Sequence, residues 1–471
     1  MKKKILLTIL VGIFAIALFG CGEDERREEK EEQEEQDTLV DIESLLDNLL
    51  EQDGKENPDM FQIDSSVNVK KTVLIDDKDI KITLTDISVD DYEVELFLTI
   101  ENNSDVDLSF QSNNQGLYGC VVNGYLIDHM CLYSDVSAGK KAKETMSIYK
   151  EELLKYGITQ IADIEIPFLV MDNEYDTYYE KSVTIQTSLT DIYDDSVNTY
   201  REFLNSPLYE KVTGRSIEYF SEEVLYNEAG VRIVSEAVCT DKQGNQTILL
   251  EVVNDSSDIV IFDLSQIRVN NLQIYDSAWS ISRMSPNVTY VIEIDVNMVL
   301  NEALLDMLGI SEVDIFTCTV QIKTTDYGKI VKPQEISLVL SEKVAPVDVS
   351  GEEVYKDDNY RIIIKGVPED TSEYSIYANV LFLIENMSDE AISVSEVRDS
   401  LSVNGYMIDG YYFSTAIMPD SYSVFLLKLS KSELEDIGVE KESDIEKLEV
   451  ILRFRDSNFN NKAEPKISIQ F

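Results

Sequence analysis

From about residue 67 onward, apolar and polar residues alternate in short runs broken by clusters of Asn, Asp, Ser and Gly, which is the period of half-buried β-strands. The runs come in one order, three times over. Each unit opens with a polar turn between two apolar runs: Asp76-Asp77-Lys78-Asp79, then Asn227-Glu228-Ala229-Gly230, then Lys356-Asp357-Asp358-Asn359. A long apolar strand follows and stops at turn residues, Glu101–Asp105, Asn254–Asp258 and Glu385–Asp389. Next comes Val122-Asn123-Gly124-Tyr125-Leu126-Ile127-Asp128, matched by Val403-Asn404-Gly405-Tyr406-Met407-Ile408-Asp409 and more loosely by Val269-Asn270-Asn271-Leu272. Asn-Gly between apolar residues predicts a two-residue hairpin, because both central positions of a type I′ turn need positive φ. A short helical stretch, Leu153–Tyr156, Leu304–Leu308 or Ser432–Ile437, then runs into Gly157, Gly309 or Gly438, each a natural C-cap. The pairs Asp163-Ile164, Asp314-Ile315 and Asp444-Ile445 are expected to open the next strand, and Ser182–Thr187, Ile336–Leu340 and Lys466–Phe471 close the units with period-two strands.

The spacing of those glycines is uneven, which marks an insertion of roughly Leu189 to Glu222 between the first two copies. Tyr200, Phe203, Leu204, Leu208, Tyr209, Tyr219 and Phe220 make it too aromatic for a loose linker, and a short helix is expected around Ser196–Asn205. Each copy offers about seven or eight strands with turn signals every 8–12 residues, the pattern of a β-sandwich. At about 120 residues a copy can bury its own core, so the units are domains in a row and not solenoid repeats. The expected fold is all-β: three tandem immunoglobulin-like sandwiches at residues 67–189, 223–343 and 344–471, each with one short helix, and a partly helical connection at 190–222. The chain over Val67 to Phe471 resembles the tandem immunoglobulin-like domains of lipoproteins in low-GC Gram-positive bacteria. The resemblance is one of pattern. It implies an extracytoplasmic binding or scaffold role and carries over no catalytic residue.

Ahead of the repeats lies a different pattern. Lys2, Lys3 and Lys4 precede an apolar run, Ile5 to Leu18, that ends in Leu18-Phe19-Gly20-Cys21. This is the order of a secretory signal, and the Gly20-Cys21 pair resembles the bacterial lipobox despite the bulky Phe19. The run is shorter than the roughly 20 apolar residues that span a bilayer. Residues 1–20 are therefore expected to be a lipoprotein signal peptide, with Cys21 lipidated and the mature protein held by acyl chains on the extracytoplasmic face of the cell membrane. Residues 21–66 are expected to be a linker. Within it, Glu23 to Asp37 carries ten acids against three bases, which cannot fold and repels itself into an extended tether. Leu39, Ile42, Leu45, Leu46, Leu49 and Leu50 then recur at helical spacing behind Thr38.

Charge narrows the function. The chain has 90 acidic and 40 basic residues, a net −50, and loss of the signal's three lysines takes this to −53. Such a surface repels a phosphate backbone, so a nucleic-acid partner is excluded. The acidic turns at Asp76, Asp77 and Asp79, and at Asp357 and Asp358, lack the spacing of a calcium loop, so any calcium binding is expected to be weak and hairpin chemistry accounts for these residues. His129 is the single histidine. A metal site of Cys120, His129 and Cys131 is disfavoured because the later copies place Ser277 and Gly410 where His129 stands. No catalytic, cofactor or metal site is expected, and acid pairs of the glycosidase kind arise by chance in so acidic a chain. Cys120, Cys239 and Cys318 lie in apolar runs where a thiol behaves as a small hydrophobe. If bridges form, Cys120–Cys131 and Cys239–Cys318 keep each within one copy. Tyr175, Tyr178 and Tyr179, and Tyr406, Tyr411 and Tyr412, form clusters suited to contact surfaces or to cores, and Trp279 reads as a core anchor. The expected function is a non-catalytic surface lipoprotein that binds a protein or cell-wall partner or acts as a spacer. An accessory or sensor subunit of a membrane complex such as a transporter is the alternative.

Overall fold

A strand that is apolar at every second position has one face to bury, and two such sheets facing each other bury both. The computed structural model realises this three times. It describes residues 62–471 except 113–118, 128–129, 276–278, 297–304, 306, 311, 327, 329, 368–375 and 412–414. The signal segment, Cys21, the acidic tether, the leucine-rich stretch after Thr38, His129, Ser277 and Tyr412 lie outside the described residues.

In the first sandwich, one sheet runs Thr72–Asp77, Ile80–Val89, Glu93–Asn102, Lys141–Tyr149, all antiparallel. The facing sheet is centred on Asp163–Asp172, with Leu108–Ser112, Thr177–Gln186 and Cys120–Val122 as its neighbours. Phe110, Phe168 and Tyr156 are fully buried between them. The second and third sandwiches repeat the plan around Phe262 and Phe316, and around Phe382, Phe425 and Phe454. The all-β expectation holds, and the three apolar cores follow the three copies.

The hairpins fall where the sequence places them. Asn123 and Gly124 have φ 50° and 83°, Asn270 and Asn271 49° and 67°, and Asn404 and Gly405 50° and 86°, a type I′ turn each time. Gly157, Gly309 and Gly438 are left-handed; Gly157 and Gly438 close the helices Lys150–Leu154 and Lys431–Asp436, with Ile158 N donating to Leu153 O and Val439 N to Leu434 O, and at Gly309 Ile310 N donates likewise to Leu305 O.

Two expectations need revision and one is extended. The strand Arg215–Ser221 belongs to the second sandwich, pairing with Val231–Asp241, so that domain starts before Glu223. A register shift between Ile217 and Tyr219 breaks the alternation that would have marked it as a strand. The insertion holds the helix expected near Ser196–Asn205, at Thr199–Leu204 with Asn198 capping Arg201 N, and a second one at Leu208–Thr213 closed by Gly214 at φ 69°. In the third copy Asp444 ends a short 3-10 turn and the strand begins at Lys447, because the clasping asparagine grips that point.

That clasp recurs. Asn123 Oδ1 accepts from Ala162 N and Asp163 N, Asn270 Oδ1 from Asp314 N and Ile315 N, and Asn404 Oδ1 from Glu446 N and Lys447 N. The hairpin asparagine therefore supplies a side chain as well as a positive φ. A second asparagine per copy is buried at the end of the long strand. Asn102 Nδ2 donates to Val106 O and Val136 O, Asn254 Nδ2 to Asp258 O and Met284 O, and Asn386 Nδ2 to Glu390 O and Ile417 O. Each supplies a donor to one buried carbonyl, of Val136, Met284 or Ile417, and shares the turn carbonyl with the neighbouring serine hydroxyl.

Candidate interaction site

The sheets do not stop at the sandwich boundaries. The Asn-Gly hairpin of the first copy stays paired to its own sheet through Cys120–Val122, while its second strand, Tyr125–Ile127, pairs in parallel with Val288–Asp295 of the second. Thr289 N donates to Gly124 O at 2.8 Å. The hairpin of the second copy does the same one domain later: Leu272 and Gln273 lie beside Tyr422 and Ser423, and Tyr422 N donates to Asn271 O at 3.2 Å. Among the described residues, two continuous sheets of eleven and ten strands result.

The hairpin strands suit this because they are apolar on both faces. Cys120, Val122, Tyr125 and Ile127 belong to the first core, while Val121 and Leu126 belong to the second. A strand with one wet face would alternate apolar with polar; here both faces are covered.

Around the first joint the insertion adds a polar clamp. Glu251, on the second sandwich and 1% exposed, accepts from Arg201 Nε at 2.8 Å, Asn198 Nδ2 at 2.8 Å and Ser235 Oγ at 2.5 Å. Tyr125 OH donates to Asn198 Oδ1, and Thr199 Oγ1 to Tyr156 O, so the helix Thr199–Leu204 grips both sandwiches. Gly157 leaves room for this, since a Cβ there would stand 2.3 Å from Thr199 O. Burial pushes the Tyr125 phenol up to about 12, so it stays neutral. At the second joint, Ile363, Leu381 and Leu383 of the third sandwich pack straight into the second core. Lys365, donating to Asp348 O and Ser350 O, straps down the connecting segment.

The third hairpin is different. Tyr406 is 58% and Met407 61% exposed, whereas their equivalents Tyr125 and Leu126, and Leu272 and Gln273, are exposed by at most 7%. Among the described residues nothing covers it. Beside it is a shallow pocket of about 500 Å³ lined by Met407, Ile408, Asp399, Asp409, Glu433 and Asp436. Below it Glu396 is buried, with Oε2 lacking a hydrogen-bond partner among the described residues. Burial first, and then the charges of Asp409 and Asp399, raise its carboxyl to about 7.

The other residues singled out from the sequence are not brought together. Cys120 is buried, with Sγ donating to Met130 O and burial pushing its thiol up to about 12, while Cys131 is exposed. Cys239 and Cys318 are buried thiols in different sheets. Asp76 pairs with Lys81, Asp77 accepts from Lys78 N, and Asp357 Oδ1 accepts from Asn359 N and Tyr360 N, all within their own turns. Among the described residues no group of three His, Cys, Asp or Glu is placed to hold a metal. Tyr175 is exposed, Tyr178 donates to Lys78 O, and Tyr179 is buried under Lys78. Trp279 opens a strand paired with Leu264.

No family model and no curated protein sequence matches the chain. Solved structures that it is similar to include one described as bearing on host cell surface retention of a bacterial ice-binding adhesin, at 11% identity over 80% of this chain and 90% of that one, TM-score 0.13. Others are the YadV chaperone, at 10% identity over 47% and 92% with TM-score 0.17, and the BSP domain of a biofilm associated protein, at 9% over 80% and 78% with TM-score 0.13. Likeness this slight carries no argument about what the chain does.

Proposed function

We propose that the protein is a non-catalytic surface lipoprotein, held to the outer face of the cell membrane by acyl chains on Cys21, whose joined sandwiches present the third one to an envelope or extracellular partner. The observation that carries the reading is the uncovered hairpin of the third copy. An exposed Tyr and Met in a hairpin that is covered in both sister copies is the kind of surface that recognition uses. The lipobox-like Leu18–Cys21 and the acidic run behind it support the anchoring.

Replacing Cys21 with Ala is expected to abolish acyl labelling and release the protein from membranes; equal labelling of both forms contradicts the anchor. Tyr406→Ser with Met407→Ser is expected to lower capture of an envelope partner at least tenfold while leaving membrane attachment intact, and unchanged capture contradicts the contact site.

A further inference from the structure

The same hairpin forms a joint twice and is left open once, and the edge that would receive it is also left open once. We propose that the Val403–Met407 hairpin of the third sandwich docks on the edge strand Lys141–Tyr149 of the first sandwich in a second copy of this chain, joining copies head to tail. This goes beyond the anchored, partner-binding reading and does not depend on Cys21.

The register shows which edge is equivalent. The buried asparagines Asn102, Asn254 and Asn386 align the three receiving sheets, and the residues just before them pair Glu101 with Lys141, Val253 with Thr289 and Glu385 with Tyr422. Thr289 and Tyr422 are the residues whose N–H groups donate to the docked hairpins. Lys141 is therefore the third member of the set, and its N–H is expected to donate to Gly405 O of the second copy. Among the described residues no strand pairs with the outer edge of Lys141–Tyr149.

Charge agrees with this occupant. In a chain of net −50, the start of the free edge carries Lys140, Lys141 and Lys143, all exposed. The equivalent positions inside the two joints, Val288, Thr289 and Val291, and Ser421, Tyr422 and Val424, are uncharged. The free hairpin is flanked by Asp399, Asp409, Glu433 and Asp436. At these edge positions, therefore, opposite charges would meet only in the intermolecular contact, where water and salt can reach them.

The contact is expected to be weak. Thr99 stands where the third sandwich has Leu383, so less apolar area is covered than at the second joint. A dissociation constant of roughly 100 μM is reasonable for so small an interface, and tethering to one surface would raise the effective concentration. A head-to-tail contact leaves a free hairpin at one end and a free edge at the other, so it adds copies in series and does not stop at a two-fold dimer.

Edge lysines also guard against unwanted strand pairing, and sedimentation velocity distinguishes the two roles. The chain from Gly22 to Phe471, which carries no lipid, is followed at low and high salt up to ~1 mM. Association that climbs beyond dimer with concentration and disappears at high salt is expected. Lys140→Glu with Lys143→Glu should leave only monomer, and so should Asp409→Lys with Asp436→Lys. Mixing the two variants should restore association, because each then offers the charge the other lacks. Tyr406→Ser with Met407→Ser should remove it without a charge change. Wild-type chain that stays monomeric throughout at low salt would show that the lysines only protect the edge. A closed dimer insensitive to both charge variants would equally overturn the proposal.

Discussion

The two joints solve one problem with different chemistry. At the first, Leu126 and Val121 bury apolar faces in the second core, and the inserted helix adds Arg201 and Asn198 against the buried Glu251. At the second there is no insertion. Gln273 stands where Leu126 stands, and its amide oxygen and nitrogen are buried without partners among the described residues, while Leu383 stands where Glu251 stands. The backbone contact is the same in both, a strand N–H to the carbonyl of the turn's second residue. The repeated hairpin therefore sets where the sandwiches meet, and side chains that vary between copies set how firmly.

The largest effect is expected from the clamp. Arg201→Ala leaves Glu251 buried beside Ser235 and Asn198 without its cation, which costs roughly 3–5 kcal/mol. Denaturant unfolding should show the loss in the first two sandwiches and leave the third unchanged; equal loss in all three contradicts a local clamp.

A smaller effect concerns the open third hairpin. Glu396 titrates near 7 in the fold against an ordinary carboxyl value of 4.5, so the folded state binds the proton more tightly than the unfolded one. Its contribution is fully present below the unfolded value and is lost as pH rises through 7, a decline on the order of 3 kcal/mol. Leu264 occupies the equivalent place in the second copy, and Glu396→Leu should flatten that part of the stability–pH curve. If wild type and variant fall in parallel between pH 4.5 and 7, the carboxyl is not strained by its burial.

The smallest effect sharpens the contrast between joints directly. Gln273→Leu removes two buried unpaired polar atoms and should stabilise the second joint by about 1 kcal/mol, whereas Leu126→Gln should weaken the first by a similar amount or more. A thermal shift of the same sign for both would mean that the two positions are not equivalent.

Much of this fold is written locally. The positive-φ pairs at Asn123-Gly124 and Asn404-Gly405, and the helix-closing Gly157 and Gly438, depend on neighbours a few residues away, so a sequence pattern exposes them. The asparagine clasps were less legible, because a turn residue that is also buried looks like any other Asn until its distant carbonyls and amides are in place. The joints were least legible, since they pair strands from different domains. One signal was present: Cys120-Val121-Val122 and Tyr125-Leu126-Ile127 are apolar at every position, more than one sandwich can bury. The contrast between a covered Leu126 and an exposed Met407, identical in local sequence context, could come only from the structure.

Amide hydrogen exchange tests the central claim, that one hairpin contact is used at both joints and left open at the third. Thr289, Tyr422 and Lys141 occupy the same place on three sheets, so they differ only in whether a hairpin carbonyl faces them. In dilute solution, slow exchange is expected at Thr289 and Tyr422 and fast exchange at Lys141. Equal protection of all three amides, or fast exchange at Thr289 and Tyr422, would contradict the account.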